Sequence, residues 1–135
     1  MGYTKPNTTV LVLAHSSSAP LDSTTYYWGS LTALTGSATG PRITSSIKGV
    51  ITGMALHIWN STIDASAEND TISLRINDAT DYQIYLGTVV SGDYTNMALN
   101  IPVNVGDVIV VKEVTPAWAT NPTGVYKTIT LVIDL

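Results

Sequence analysis

The stretch Ile72-Ser73-Leu74-Arg75-Ile76-Asn77-Asp78-Ala79-Thr80-Asp81-Tyr82-Gln83-Ile84-Tyr85-Leu86 holds the clearest period of two in the chain. Ile72, Leu74 and Ile76 alternate with Ser73, Arg75 and Asn77, and Tyr82, Ile84 and Leu86 resume the alternation after the turn. Successive side chains of a strand point to opposite faces, so each run is expected to bury one face. Asn77-Asp78-Ala79-Thr80 between them tolerates turn geometry and can bond its own backbone, so the pair is expected to form a β-hairpin.

Outward from that hairpin, the other apolar runs also have strand length. Thr8 to Leu13 is apolar and β-branched. Ser46 to Trp59 reads as a long strand with Val50, Met54, Leu56 and Ile58 on one face if Gly49 or Gly53 marks a bend. Met97 to Val103 and Val108 to Val114 flank the turn Asn104-Val105-Gly106-Asp107. Val125 to Asp134 places Ile129, Leu131 and Ile133 opposite Thr128 and Thr130. Gly and Pro recur too often for a long amphipathic helix. About eight strands at regular spacing make the fold class all-β, an antiparallel β-sandwich or barrel. Between Ser16 and Pro41, Thr24 to Trp28 is expected as a short strand and Gly36 to Gly40 as a loop.

Composition agrees. The 135 residues are 44% hydrophobic and 12% charged, with 20 Thr, 12 Ser and 8 Asn, so hydroxyls and amides must cover much of the surface. An average soluble chain is about 25% charged. The length suits one domain with a real core. Six basic residues scattered among ten acidic ones form no stripe for phosphates, so nucleic acid is not expected as a partner. No apolar run is long enough for a membrane span, and no signal-peptide pattern follows Met1, so synthesis in the host cytoplasm without a signal peptide is expected. Cys is absent, which removes disulfides and thiolate metal sites.

No catalytic signature emerges. His15-Ser16 stands in a Ser-rich segment, and Gly36-Ser37-Ala38-Thr39-Gly40 has its Ser one place too early for a nucleophile elbow. His57 lies mid-strand and is expected to be satisfied or solvent-facing. Asp64, Glu68 and Asp70 crowd one loop and Asp78 and Asp81 the next turn. Their spacing fits no EF-hand, so they are expected as solvated turn residues. No catalytic, cofactor or metal site is expected. Tyr26-Tyr27-Trp28, Trp59 and Trp118 raise carbohydrate stacking, against the reading that Tyr and Trp supply the large core and interface side chains of a chain without Phe.

Four blocks carry a family resemblance: Asp22-Ser23-Thr24-Thr25-Tyr26-Tyr27-Trp28-Gly29, Asn77-Asp78-Ala79-Thr80-Asp81-Tyr82, Asn100-Ile101-Pro102-Val103-Asn104-Val105-Gly106-Asp107 and Thr115-Pro116-Ala117-Trp118-Ala119-Thr120-Asn121-Pro122-Thr123. From about Asp22 to the end the chain resembles small jelly-roll, tumour-necrosis-factor-like domains of prokaryotic virus and phage structural proteins. The resemblance implies a jelly-roll over residues 21–135, preceded by residues 1–20 as an N-terminal arm or first strand. It also implies a homotrimer. The expected role is a non-enzymatic virion protein on the particle exterior, a capsid decoration or turret subunit whose partners are itself and other virion proteins such as a major capsid protein. The absence of a fibre stem, collagen-like repeat or heptads weighs against a tail fibre. Tyr82, Tyr85, Met97, Trp118 and Tyr126 are the large side chains expected to line the trimer interface. Val10, Leu11, Val12 and Leu13 are expected to form an assembly arm that adds a strand to another chain, so that removal of residues 1–14 would stop assembly and spare folding. The alternative reading is a carbohydrate-binding or receptor-binding module of a phage or exported protein, with glycans as partners.

Overall fold

The computed structural model of the chain describes residues 7–17, 20–29, 34–35, 41–62 and 67–135. Among the described residues there are eleven strands: β1 (Thr8–Ser17), β2 (Thr25–Trp28), β3 (Leu34–Thr35), β4 (Ile43–Thr44), β5 (Gly49–Asn60), β6 (Asp70–Ile76), β7 (Thr80–Gly87), β8 (Gly92–Asn96), β9 (Ile101–Val103), β10 (Val108–Val114) and β11 (Val125–Asp134). They form two antiparallel sheets. The first runs β1-β11-β5-β8 with β9 also on β5, and the second runs β3-β2-β10-β6-β7 with β4 also on β10.

With the short β3, β4 and β9 set aside, the remaining strands pair from the outside inward: β1 with β11, β2 with β10, β5 with β8 and β6 with β7. Such pairing describes one long antiparallel ribbon. Rolling that ribbon on itself adds β11 to β5 and β10 to β6, which divides the strands between two sheets. This is the jelly-roll arrangement of an all-β sandwich. Its core lies between the sheets, where Leu13, Ile51, Met54, Leu56, Ile58, Ile129, Leu131 and Ile133 of the first meet Trp28, Ile72, Leu74, Ile109 and Val111 of the second.

The hairpin of β6 and β7 forms as its alternation requires, with Asn77 and Asp78 at φ 53° and 56°, the left-handed region that Asn and Asp tolerate better than most residues. Two irregularities reset the phase elsewhere. In β7 the register slips by one residue at Ile84, so Tyr85 turns toward the core and Leu86, expected inward, faces solvent. In β5 the register slips at Thr52, so Ile51 rather than Val50 joins Met54, Leu56 and Ile58 in the core. The irregularity falls at Thr52, between the two glycines where a bend was expected.

Three further expectations change. Thr25–Trp28 is a strand as expected, but the segment from Met97 to Val103 is one only over Ile101–Val103, and Gly92–Asn96 is an additional strand. The turn expected between β9 and β10 crosses from one sheet to the other. Of the two forms expected for residues 1–20, arm or first strand, Thr8–Ser17 takes the strand. It is the edge strand of the first sheet, paired with β11 over its whole length, with Leu13 fully buried. β1 is thus a strand of the sandwich, and its loss is expected to reach folding as well as assembly. Gly36 to Gly40 lies outside the described residues.

The four blocks quoted above meet two by two at opposite ends of the second sheet. At one end Asp22 Oδ1 accepts from the Trp118 backbone N–H (3.1 Å) and Asn121 Nδ2 (3.0 Å), while Thr115 Oγ1 donates to the Leu21 carbonyl (2.6 Å) and accepts from the Thr24 N–H (2.9 Å). These bonds pack the segment after β10 against the start of β2, as its Pro and Trp content suggests. At the other end Asn77 Nδ2 donates to Asp107 Oδ1 (2.9 Å), and Asp107 Oδ2 accepts from the Asn104 N–H (2.7 Å).

Deleting residues 1–14 removes a core strand and is expected to abolish the cooperative thermal transition followed by circular dichroism, and Leu13→Ala alone is expected to cost about 2–5 kcal/mol in denaturant unfolding. The hydrogen bonds from Asn77 and Asn104 hold the Asp107 carboxyl below its ordinary value of 3.8. A lowered folded-state pKa gives stability that is present above the unfolded value and is lost as pH falls. The stability gap between the wild type and Asp107→Asn is therefore expected to shrink as pH is lowered through 3.8 in a series of denaturation curves.

Candidate functional site

Between the sheets, at the end where β2 begins and β10 ends, lies a cluster of buried ionisable side chains. Lys127 Nζ on β11 donates to Asp70 Oδ2 on β6 at 2.7 Å and to Glu113 Oε1 on β10. Glu113 Oε2 accepts from Trp28 Nε1 at 3.0 Å and from His15 Nδ1 at 3.1 Å. Lys127 is 2% exposed, and Asp70 and Glu113 are fully buried. His15 packs its ring against Tyr26 and Trp28, with centroids 5.7 Å and 5.5 Å apart.

Each of these residues continues an apolar period by one step. Lys127 is in phase with Ile129, Leu131 and Ile133; Glu113 with Ile109 and Val111; Asp70 with Ile72, Leu74 and Ile76; His15 with Leu11 and Leu13. The strands that line up the core must therefore line up these four as well. Asp70, expected as a solvated turn residue, is corrected: it stands inside the sandwich. The in-phase spacing was the signal that could have found the cluster.

Burial disfavours every charge in the cluster, and the balance differs from group to group. Burial raises the Asp70 carboxyl, the negative Glu113 beside it raises it further, and Lys127 opposes both only in part, so Asp70 sits well above the ordinary range. Burial would also raise Glu113, but the Lys127 ammonium and the hydrogen bond and charge of His15 outweigh it and hold Glu113 far below the ordinary range. Burial would lower Lys127; the two carboxyls override it and the ammonium is favoured. The cluster thus holds one ion pair, Lys127 with Glu113, and one carboxyl that resists ionising. Nearby, burial and the neighbouring Tyr94 push the Tyr85 phenol up to about 12.

The outer faces of the two sheets contrast. On the second, Asp81 accepts from Arg75 at 2.9 Å and Lys112 at 2.7 Å, and Asp78 pairs with Arg42 at 2.6 Å. On the first, the cross-strand rows are Val10, Val132 and Gly53; Val12, Thr130, Ala55 and Thr95; Ala14, Thr128, His57 and Asp93; and Tyr126 with Trp59. Charge on this face is carried by His57 and Asp93, joined at 2.7 Å, and by Asp134 in the end row with Thr8, Val50 and Pro102. Met97 lies across Gly53, where a Cβ would meet its Sδ at 2.7 Å. Val10, Val12, Trp59, Met97 and Tyr126 are exposed, from 47% at Trp59 to 63% at Met97. Trp59 and Tyr126 touch with ring centroids 5.2 Å apart.

The residues singled out from sequence separate accordingly. Met97 and Tyr126 are brought together on this apolar face, with Val10 and Val12 beside them. Leu11 and Leu13 point the other way, toward the core. Tyr82 and Tyr85 are partly buried against the core, and Trp118 is buried under its own loop. Trp59 was considered only for sugar stacking; its outward phase between His57 and the end of β5 places it on the same face.

His57 faces solvent beside Asp93 on a flat sheet. Among the described residues no group of three or more His, Cys, Asp or Glu is arranged to hold a metal ion. A cleft of about 270 Å³ at the end away from the buried cluster is lined by Leu11, Ile43, Ile47, Ile109 and Ile133 with Thr and Ser at its rim, and no titratable side chain enters it.

No known protein family matches the chain, and no curated protein matches it. Among solved structures, the chain is similar to the cyanophage Pam1 capsid asymmetric unit, with a TM-score of 0.46 and 17% identity over 100% of this chain and 91% of that one. It is also similar to the crystal structure of FLHE, with a TM-score of 0.42 and 10% identity over 93% of this chain and 98% of that one. Likenesses at this level say nothing of what this chain does.

Removing Lys127 alone leaves Glu113 and Asp70 without their buried counter-charge. Lys127→Met is expected to lower unfolding free energy by about 3–5 kcal/mol, and adding Glu113→Gln and Asp70→Asn to it is expected to recover part of that loss, both read from denaturant curves.

Proposed function

We propose that the chain is a non-enzymatic structural subunit of a virus particle, a homotrimer on the particle exterior that serves as a capsid decoration or turret subunit. The observation that carries this reading is the contrast between the two outer sheet faces. Arg75 and Lys112 pair with Asp81 on the second sheet's outer face, Arg42 pairs with Asp78 and Lys127 is buried, whereas the middle of the first sheet's outer face is built from Val, Thr, Ala and an exposed aromatic pair, with the His57–Asp93 pair beside them and Lys48 and Asp134 only at its end. Contiguous apolar surface of this kind marks an interaction site, because water gains when it is covered. Identical copies are the occupant that suits it: the face has almost no charge to be matched by a partner of opposite sign. The four sequence blocks that resemble virion jelly-roll domains support the same reading, and so does their use as turn and loop anchors at the two ends of the second sheet.

In this reading Val10, Val12, Trp59, Met97 and Tyr126 form the contact, and a neighbour such as a major capsid protein is a further partner. A second reading, carbohydrate binding, keeps one observation in its favour. Trp28 and Trp118 are buried, but the Trp59–Tyr126 pair is exposed, and aromatic faces stack on sugars.

Light scattering on the purified chain is expected to give a trimer or larger species. Trp59→Lys and Val12→Glu are expected to shift it to monomer mass with an unchanged thermal midpoint, since neither side chain enters the core. A wild-type chain that stays monomeric at micromolar concentration contradicts the proposal. Binding on a glycan array that Trp59→Ala abolishes would favour the second reading.

A further inference from the structure

The buried cluster has the parts of an amide-forming centre, and we propose that Lys127 and Asp70 join in a spontaneous intramolecular isopeptide bond assisted by Glu113. The geometry puts a primary amine, a carboxylic acid and a second carboxylate in mutual contact inside a core. Lys127 Nζ stands 2.7 Å from Asp70 Oδ2 and also contacts Glu113 Oε1. Neither Lys127 nor Asp70 is free to swing out to solvent, because both are buried between β11 and β6 and held by their contacts. Two reacting groups held at contact distance behave as though at very high concentration, which removes most of the entropic barrier to a bimolecular step.

The two carboxyls have different roles because their surroundings differ. Glu113 Oε2 is fixed by Trp28 Nε1 and His15 Nδ1, two donors that stabilise a carboxylate and aim its other oxygen at Lys127. Asp70 has Lys127 as the partner of Oδ2, and its buried Oδ1 has no hydrogen-bond partner among the described residues. Burial favours the neutral acid at Asp70, the form whose carbonyl carbon accepts a nucleophile. Glu113 is the base and Asp70 the acyl group.

The chemistry balances without any co-reactant. The Lys127 ammonium gives one proton to the Glu113 carboxylate, and the freed amine attacks Cγ of the neutral Asp70 acid. The C–N bond forms, the C–OH bond breaks, and the departing hydroxyl takes a second proton from the nitrogen and leaves as water. The products are the Lys127–Asp70 amide with its one N–H, one water, and Glu113 as the neutral acid. The ion pair disappears with the reaction, so the cluster no longer carries a buried charge that must be compensated. The low-water interior also protects the amide from hydrolysis. The bond ties the first sheet to the second across 57 residues of sequence in a chain that has no cysteine for a disulfide. It is independent of what covers the outer face.

The test is the intact mass of the full-length chain, purified folded and then denatured. The wild type is expected to be lighter than its sequence mass by one water, and proteolysis is expected to release a branched peptide joining the Lys127 segment to the Asp70 segment. Glu113→Gln, which removes the base, and Lys127→Arg, which keeps the positive charge but removes the amine, are expected to show the full mass. Wild-type protein at full mass after long incubation in the folded state overturns the proposal, whatever the variants do. A loss of one water that maps to Glu113 or to a succinimide overturns the assignment of Asp70.

Discussion

The alternation of β11 is the constraint on which the rest of the structure depends. This strand is paired on both sides, with β1 and with β5, so its register fixes the first sheet. Its inward residues, Val125, Lys127, Ile129, Leu131 and Ile133, supply a central row of the core and the cation of the buried cluster. Its outward residues, Tyr126, Thr128, Thr130 and Val132, form the middle of the apolar face. A slip of one residue would put Lys127 in solvent and Tyr126 in the core, exchanging both functions at once. The face left outside the core is thus determined by the same pattern that makes the fold.

The two faces of the first sheet answer to different physics. Inside, charge is tolerated because Lys127, Glu113 and Asp70 compensate one another and because Trp28 and His15 donate to Glu113. A buried ion with no partner would cost several kcal/mol. Outside, charge is nearly absent, and the hydroxyls of Thr128, Thr130 and Thr95 keep the surface soluble without giving it a sign. Threonine suits that position doubly, since its branched side chain favours a strand and its oxygen can bond to water or to a neighbour. The low charged fraction of the chain is therefore unevenly distributed: the second sheet's outer face carries its ion pairs, and the first sheet's outer face goes almost without.

Much of this was legible in the sequence because alternation is local. The β6–β7 hairpin and the face of β11 both follow from neighbours in the chain. The phases that shifted did so at single-residue slips, Ile84 and Thr52, which depend on the partner strand and leave no clear mark in the run itself. The sequence left β1 between an arm and a first strand because nothing nearby shows that its partner lies at the far end of the chain. The buried cluster was missed for a related reason. A charged residue is almost never fully buried unless it is paired, and the partners lie 14, 57 and 98 residues apart. Lys127 in phase with Ile129 and Leu131 was a visible anomaly, but only the fold brings its counter-charges to it.

That the charge-poor outer face of the first sheet is covered by identical copies is the central claim, and hydroxyl-radical footprinting of the chain across a concentration series tests it most directly. The account predicts that Trp59, Tyr126 and Met97 lose reactivity together as concentration rises, while exposed side chains elsewhere, Leu86 and Val105, keep theirs. Equal reactivity of both sets at every concentration would contradict it.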